Sequence, residues 1–199
     1  LYIRAFTFLH VKQINAKFSL INEEQLIANL KNSKTASKAF DELVRLYKER
    51  LYWHIRKIVI NHDDTDDVLQ NTFIKVYKNI GGFKEESKLF SWMYRIATNE
   101  AITFLNKNAK KSNVPIEEYQ KELRSSLQDD ELFDGDTIQI ILQKAIAELP
   151  HKQQLVFNMK YFDELKYEEM SEILDTSVGA LKASYHHAVK KIESYIKNY

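Results

Sequence analysis

A chain of 199 residues that is 44% hydrophobic and 12% aromatic can bury one ordinary core or two small ones, which excludes a disordered tail. Four glycines and two prolines are too few for the turns of a many-stranded sandwich or barrel, so an all-α fold is expected, and the lack of cysteine excludes a disulfide framework and a thiolate zinc site. A formal net charge of +1, from 29 Lys and Arg against 28 Asp and Glu, excludes a uniformly basic nucleic-acid binder but not one whose charges are segregated.

Residues 1–21 hold three basic and no acidic groups. Their apolar stretch, Leu1 to Phe8, is interrupted by Arg4 and lacks a small-residue cleavage site, so no secretory signal is expected. No apolar run nears the roughly 18 residues of a membrane span, and a cytoplasmic location is the expectation.

The next block, residues 22–108, reads as a compact helical bundle. A short helix is predicted around Glu23 to Leu30. From Phe40 to Ile60 the residues Phe40, Leu43, Val44, Tyr47, Leu51, Ile55, Ile58 and Val59 recur at steps of three and four, the spacing of one buried helix face. The string from Asn61 to Asp67 breaks that pattern and supplies capping residues. Val68, Leu69, Phe73, Val76, Tyr77 and Ile80 then resume it as far as the stop signal Gly81-Gly82. After a polar loop, Phe83 to Lys88, a further stripe of Phe90, Met93, Ile96, Ala97, Ala101 and Leu105 marks a helix from Leu89 to Asn106.

Two features of this block admit a chemical reading. His62 with Asp63, Asp64, Asp66 and Asp67 could be a metal cluster or a hydrolase fragment, but no second ligand cluster completes a site. Acidic capping of a helix N-terminus accounts for the same residues, and no metal, cofactor or catalytic group is expected. Phe83, Lys84, Lys88, Phe90, Trp92, Tyr94 and Arg95 place aromatics among cations, as single-stranded DNA requires. A base stacks on a ring for about 1 to 3 kcal/mol while Lys and Arg track phosphates. An ordinary aromatic core is the competing explanation.

Residues 109–136 carry four basic and eight acidic groups and lose apolar periodicity, which predicts an acidic linker containing Pro115 and the cluster Asp129, Asp130, Glu131, Asp134 and Asp136. The last block, residues 137–199, opens with a helical face of Ile138, Ile141, Leu142, Ala145, Ile146 and Leu149 that stops at Pro150. A helix with Leu155, Val156, Met159 and Phe162 follows. Met170, Ile173 and Leu174 then bury one short helix, Asp175-Thr176-Ser177 turns the chain, and Val178, Leu181, Tyr185, Ala188, Val189 and Ile192 bury the next, the pattern of a helix-turn-helix. Residues 163–175 hold six acidic groups and one lysine, whereas Lys182, Lys190, Lys191 and Lys197 face Glu193 alone after Thr176. The second helix, capped by Ser177, therefore offers Lys182, Ser184, His186 and His187 to a major groove.

In combination these stretches resemble the extracytoplasmic-function (ECF, group IV) sigma factors of the sigma-70 family. Phe40 to Leu51 is similar to the opening sigma-2 helix, Asp63 to Ile80 to the polymerase-binding segment, Phe90 to Leu105 to the promoter-melting segment, and Leu149 to Lys191 to sigma-4. The resemblance implies a sigma-2 domain over 22–108, a linker over 109–136, a sigma-4 domain over 137–199 and an N-terminal extension outside the family pattern. It implies binding to core RNA polymerase through Asp67, Gln70, Asn71 and Lys75, the helix that carries them docking on the β′ clamp, with the β flap as a further contact of the protein. The −10 element would meet Phe83, Lys84, Lys88, Trp92, Arg95 and Asn99, with a flipped base held beside the Gly82 to Lys88 loop. The −35 duplex would meet Ser177, Lys182, Ser184, Tyr185, His186, His187 and Lys190. An anti-sigma factor, membrane-anchored in many relatives, is a further implied partner, and the linker would occupy the RNA channel of polymerase. Two departures stand out. Asp175 takes the turn position that is glycine in many relatives, and Ser184 and His187 replace arginines common on the recognition helix. A helix-turn-helix regulator that binds duplex without polymerase is the alternative function.

Overall fold

A computed structural model of the chain describes residues 22–125 and 137–199. These form nine α-helices: α1 (Glu23–Lys31), α2 (Ala36–Val59), α3 (His62–Asn79), α4 (Leu89–Ser112), α5 (Ile116–Ser125), α6 (Thr137–Ala147), α7 (His151–Tyr161), α8 (Tyr167–Leu174) and α9 (Val178–Lys197). Among the described residues there is no strand, as the scarcity of turn residues and the helical periodicities require.

Side chains set several helix starts. Asn22 accepts a hydrogen bond from the Gln25 amide and Asn61 one from the Asp64 amide, each satisfying a donor that the first turn of a helix leaves open. Asp63 and Asp64 lie in the first turn of α3, beside the positive end of its dipole. A 3₁₀ turn, Ile80–Gly82, ends α3. Helices α2, α3 and α4 pack on one another, with α1 across α2 and the 3₁₀ turn. Their seam is Leu43, Leu51, Ile55, Val76, Leu89, Met93, Tyr94, Ala97 and Leu105, all fully buried.

Two sequence expectations change in the fold. Tyr77, assigned to the core by spacing, is 52% exposed and lies edge-on to Phe40. The linker expected over 109–136 is helical through its described part. Here α4 continues to Ser112, Asn113 closes it at φ 59°, and α5 follows Pro115, itself packing Ile116, Tyr119 and Leu123 against the core. Periodicity fades there because a helix that buries one narrow face needs few apolar residues. The acidic cluster from Asp129 to Asp136 and the extension over 1–21 lie outside the described residues.

The second block has a small core of its own, made of Ala145, Ile146, Leu149, Phe157, Ala188 and Ile192. Its other buried apolar residues, Leu155, Val156, Met159, Leu165, Met170, Ile173 and Leu181, join the large core of the first block. Contacts of α8 with α4 and of α7 with α2 bring the two blocks together. Gln120 of α5 ties the seam, donating to the Ile58 carbonyl at 3.1 Å while His151 meets its amide oxygen at 3.1 Å.

Candidate functional site

Three outward surfaces carry the residues singled out in the sequence. The first is on α3, where Asp67, Gln70 and Asn71 are exposed along one side. Lys75 is exposed too, but its ammonium is paired with Glu100 of α4. Ile74, absent from the sequence expectation, is 43% exposed on the same stripe, one turn beyond Asn71. An exposed isoleucine among hydrogen-bonding side chains is a common makeup for a protein-docking surface. Among the described residues, His62 and its acidic neighbours do not converge as a group of three ligands on one position. The His62 ring bonds the Tyr52 hydroxyl at 2.6 Å, and partial burial together with Asp67 and Asp63 raises the Asp64 carboxyl above its ordinary value.

The second surface runs along α4. Lys88, Trp92, Arg95 and Asn99 follow at helical spacing, with Trp92 half-buried and the other three exposed. Lys84 is exposed in the preceding loop. Ion pairing of Lys31 with Glu85 at 2.6 Å ties that loop to α1, as does the Leu89 amide, which donates to the Glu23 carboxylate at 3.0 Å. Phe83 stands differently from its expected role as a stacking surface. Only 5% exposed, its ring packs against Trp92 with centroids 5.1 Å apart and belongs to the core. Phe90 and Tyr94 are buried as well, with the Arg50 guanidinium 4.0 Å from the Phe90 ring centroid. Of this aromatic cluster, Trp92 keeps a partly accessible ring. Sequence spacing could not separate these roles, because a ring on a core stripe and a ring on a binding stripe have the same composition.

The third surface is α9, entered through a helix-turn-helix. Asp175 ends α8 in the left-handed region, at φ 50° and ψ 47°, a conformation that favours glycine and that aspartate adopts at some cost. The Ser177 hydroxyl accepts from the Ala180 amide at 3.3 Å and starts α9, as the sequence predicts. Leu181, Ala188 and Ile192 bury the inner face. Lys182, His186, His187 and Lys190 are exposed outside, Ser184 and Tyr185 half-buried at the edge. Tyr185 stacks on Phe157 with ring centroids 5.8 Å apart, which makes it a packing residue first. Lys182 lies 5.7 Å from the centroid of Tyr167.

The α4 surface is not free. The Glu169 carboxylate of α8 pairs with Lys88 at 3.1 Å, and Arg95 donates to the Glu172 carbonyl of the same helix. Burial would raise the Glu169 carboxyl, but the Lys166 amide and the Lys88 charge outweigh it and hold the group below its ordinary range. Nothing in the sequence marked this pairing, which joins residues 81 and 77 positions apart.

An all-helical chain of two blocks, with a helix-turn-helix and a separate cationic-aromatic helix, has the makeup of a nucleic-acid-binding protein. Comparison with known proteins narrows this. The family model described as Sigma-70 region 2 matches residues 43–111, and that described as Sigma-70, region 4 matches residues 139–192. The ECF RNA polymerase sigma factor SigW of Bacillus subtilis is 29% identical over 168 residues, covering 80% of this chain and 90% of that protein. An ECF RNA polymerase sigma-E factor of Haemophilus influenzae is 27% identical over 168 residues, covering 80% and 88%. Among solved structures, CnrH in complex with the cytosolic domain of CnrY superposes with a TM-score of 0.63 at 18% identity, over 88% of this chain and 97% of that one. The sigma factor RpoE with the anti-sigma factor NepR from Bartonella quintana gives 0.61 at 18%, over 80% and 98%. The chain belongs to the sigma-70 family and, within it, to the ECF sigma factors.

Proposed function

We propose that this sigma factor joins core RNA polymerase and directs it to a class of promoters, with a division of labour among the three surfaces. In this reading α3 docks on polymerase through Asp67, Gln70, Asn71 and Ile74, with Lys75 at the margin. The α4 stripe of Lys88, Trp92, Arg95 and Asn99, with Lys84 beside it, holds the melted −10 strand, and Phe83 braces the loop from within. The α9 face reads the −35 duplex, where Lys182 and Lys190 position phosphates and His186, His187 and Ser184 meet base edges. The observation that carries the reading is the fall of the two family segments on the two folded units, region 2 on α2–α4 and region 4 on α6–α9. An anti-sigma factor is a fitting partner, because the two solved structures named above are complexes, one with the anti-sigma factor NepR and the other with the cytosolic domain of CnrY. Sigma factors are subunits that confer promoter choice and do not themselves catalyse RNA synthesis, and among the described residues no group of three or more His, Asp or Glu side chains converges on a metal position. Among the same residues no helix is long and apolar enough to cross a membrane.

Reconstitution tests the reading. Purified protein mixed with bacterial core polymerase is expected to comigrate with it and to start transcripts from a subset of a genomic promoter library. Duplex binding without any association with core would instead establish the free-standing regulator.

A further inference from the structure

The seam between the two blocks contains a buried polar cluster. His54 of α2, 1% exposed, lies with Nδ1 3.1 Å from one oxygen of Asp163 and with Nε2 2.9 Å from the Thr98 hydroxyl of α4. Thr98 also donates its hydroxyl to the Tyr94 carbonyl at 2.8 Å, so the ring of His54 is held between Asp163 and a hydroxyl anchored to the α4 backbone. The second oxygen of Asp163 pairs with the Lys57 ammonium. Asp163 sits in the loop between α7 and α8, and its side-chain partners all lie in the first block. It therefore contributes to the joining of the blocks and not to the interior of the second.

We propose that this cluster is a clasp holding a closed form of the free protein, in which α8 is laid against the promoter-melting stripe of α4. The inference rests on the sigma-factor reading for what that stripe does, but not for the closure itself. The clasp fixes the loop that leads into α8, and α8 then engages Lys88 through Glu169 and Arg95 through the Glu172 carbonyl. A DNA strand approaching Lys88 and Arg95 must displace acceptors already in place, the Glu169 carboxylate and the Glu172 carbonyl. The α9 face stays exposed in the same arrangement.

The seam is built to open. Its apolar part alone, with Met159, Leu165, Met170 and Leu181 fully buried, would make a permanent joint. Charged groups at its centre regain hydration on separation, which offsets part of the cost of exposing those residues. On opening, the second block keeps its own core of Ile146, Leu149, Phe157, Ala188 and Ile192.

The absence of cysteine makes a direct test simple. Spin labels are placed on the full chain at exposed positions by Lys48→Cys on α2 and Glu193→Cys on α9, and the distance distribution is measured by pulsed electron resonance. One short, narrow distance is expected. Asp163→Asn should raise the long-distance population about tenfold or more, because a buried charge pair loses one member. Glu169→Gln, which keeps the acceptor that caps α8, should raise it about twofold to fivefold, the scale of an exposed ion pair. Circular dichroism checks that each variant stays helical. A second arm titrates the unlabelled proteins with a fluorescent single strand carrying the −10 sequence of a promoter active in the reconstituted system, and Asp163→Asn should bind it about tenfold more tightly than the parent. Unchanged distances in both variants overturn the clasp even if transcription is normal. A shifted distance with no gain in strand binding also overturns the proposed shielding. Failure of every variant and the parent to bind core polymerase counts against the sigma-factor reading and leaves the distance result to decide closure.

Discussion

The outward faces of α4 and α9 carry similar chemistry, cations and hydrogen-bonding side chains at helical spacing, yet they stand in different surroundings. On α9, Lys182, His186, His187 and Lys190 project from a helix whose inner face alone is packed. On α4, Lys88 and Arg95 are engaged by α8, and the stripe lies at the seam between the blocks. Equal composition thus gives unequal readiness. Duplex, with its phosphates in fixed register, can be approached by a preformed convex helix. A melted strand needs an open stripe beside a ring, which in the closed form is shared with acidic residues.

The largest expected effect removes the α4 side of that contrast. Arg95→Ala should cut open-complex formation about a hundredfold, the scale of truncating an arginine at the centre of an interface, while −35 duplex binding stays within about twofold. Permanganate footprinting on reconstituted holoenzyme measures the first and a gel shift with −35 duplex the second. Equal losses in both assays would erase the division between the two helices. The α9 side should give less per residue. Lys182→Ala and His187→Ala should each weaken duplex binding about tenfold with core binding intact, the lysine change also lowering the salt dependence by about one ion. Loss of core binding in both would place α9 on polymerase instead of DNA.

How much of this was legible in the sequence follows from what periodicity can encode. The order of the helices other than α5, the caps at Asn61 and Ser177, the turn at Asp175 and the outward residues of α9 were readable, because each depends on neighbours within a few positions. Phe83 and Ile74 were not. Their spacing suits either face, and the side on which a helix is covered depends on helices far along the chain. The seam was least legible of all. His54 sits on the core face of α2 like any apolar residue, and its partner Asp163 lies 109 positions away in a stretch that reads as solvated acid. A buried ion pair between distant segments leaves no periodic trace.

Acid sharpens the comparison from the closed side. Burial alone would raise the Asp163 carboxyl, but the Lys57 charge and the His54 hydrogen bond outweigh it and hold the group at about 2. In an open form the same carboxyl is hydrated and titrates near 3.8. Closure therefore has the full Asp163 contribution above about pH 4 and loses it as pH falls through about 2, the sign for any acid whose value is depressed in the stabilised state. The spin-label distance should not lengthen between pH 7 and pH 5. Lengthening in that range would mean that some other group holds the blocks together.

The smallest expected effect concerns how α9 is presented. Ser177→Ala removes the hydroxyl that accepts from the Ala180 amide and leaves that donor to water, a loss of about 1 kcal/mol in helix stability. Because α9 also carries Leu181 into the core, the loss should appear as a fall in thermal midpoint of a few degrees for a domain of this size. It should appear again as a few-fold weakening of −35 duplex binding, since the first turn of α9 carries the cap close to Lys182. The α4 face is independent of that cap, so open-complex formation on a promoter saturated with holoenzyme should be unchanged. Replacement by threonine, which restores a neutral acceptor, should recover both the midpoint and the duplex affinity. Recovery of the midpoint without the affinity would show that the Ser177 hydroxyl touches DNA itself, making the start of α9 part of the reading surface and not merely its support.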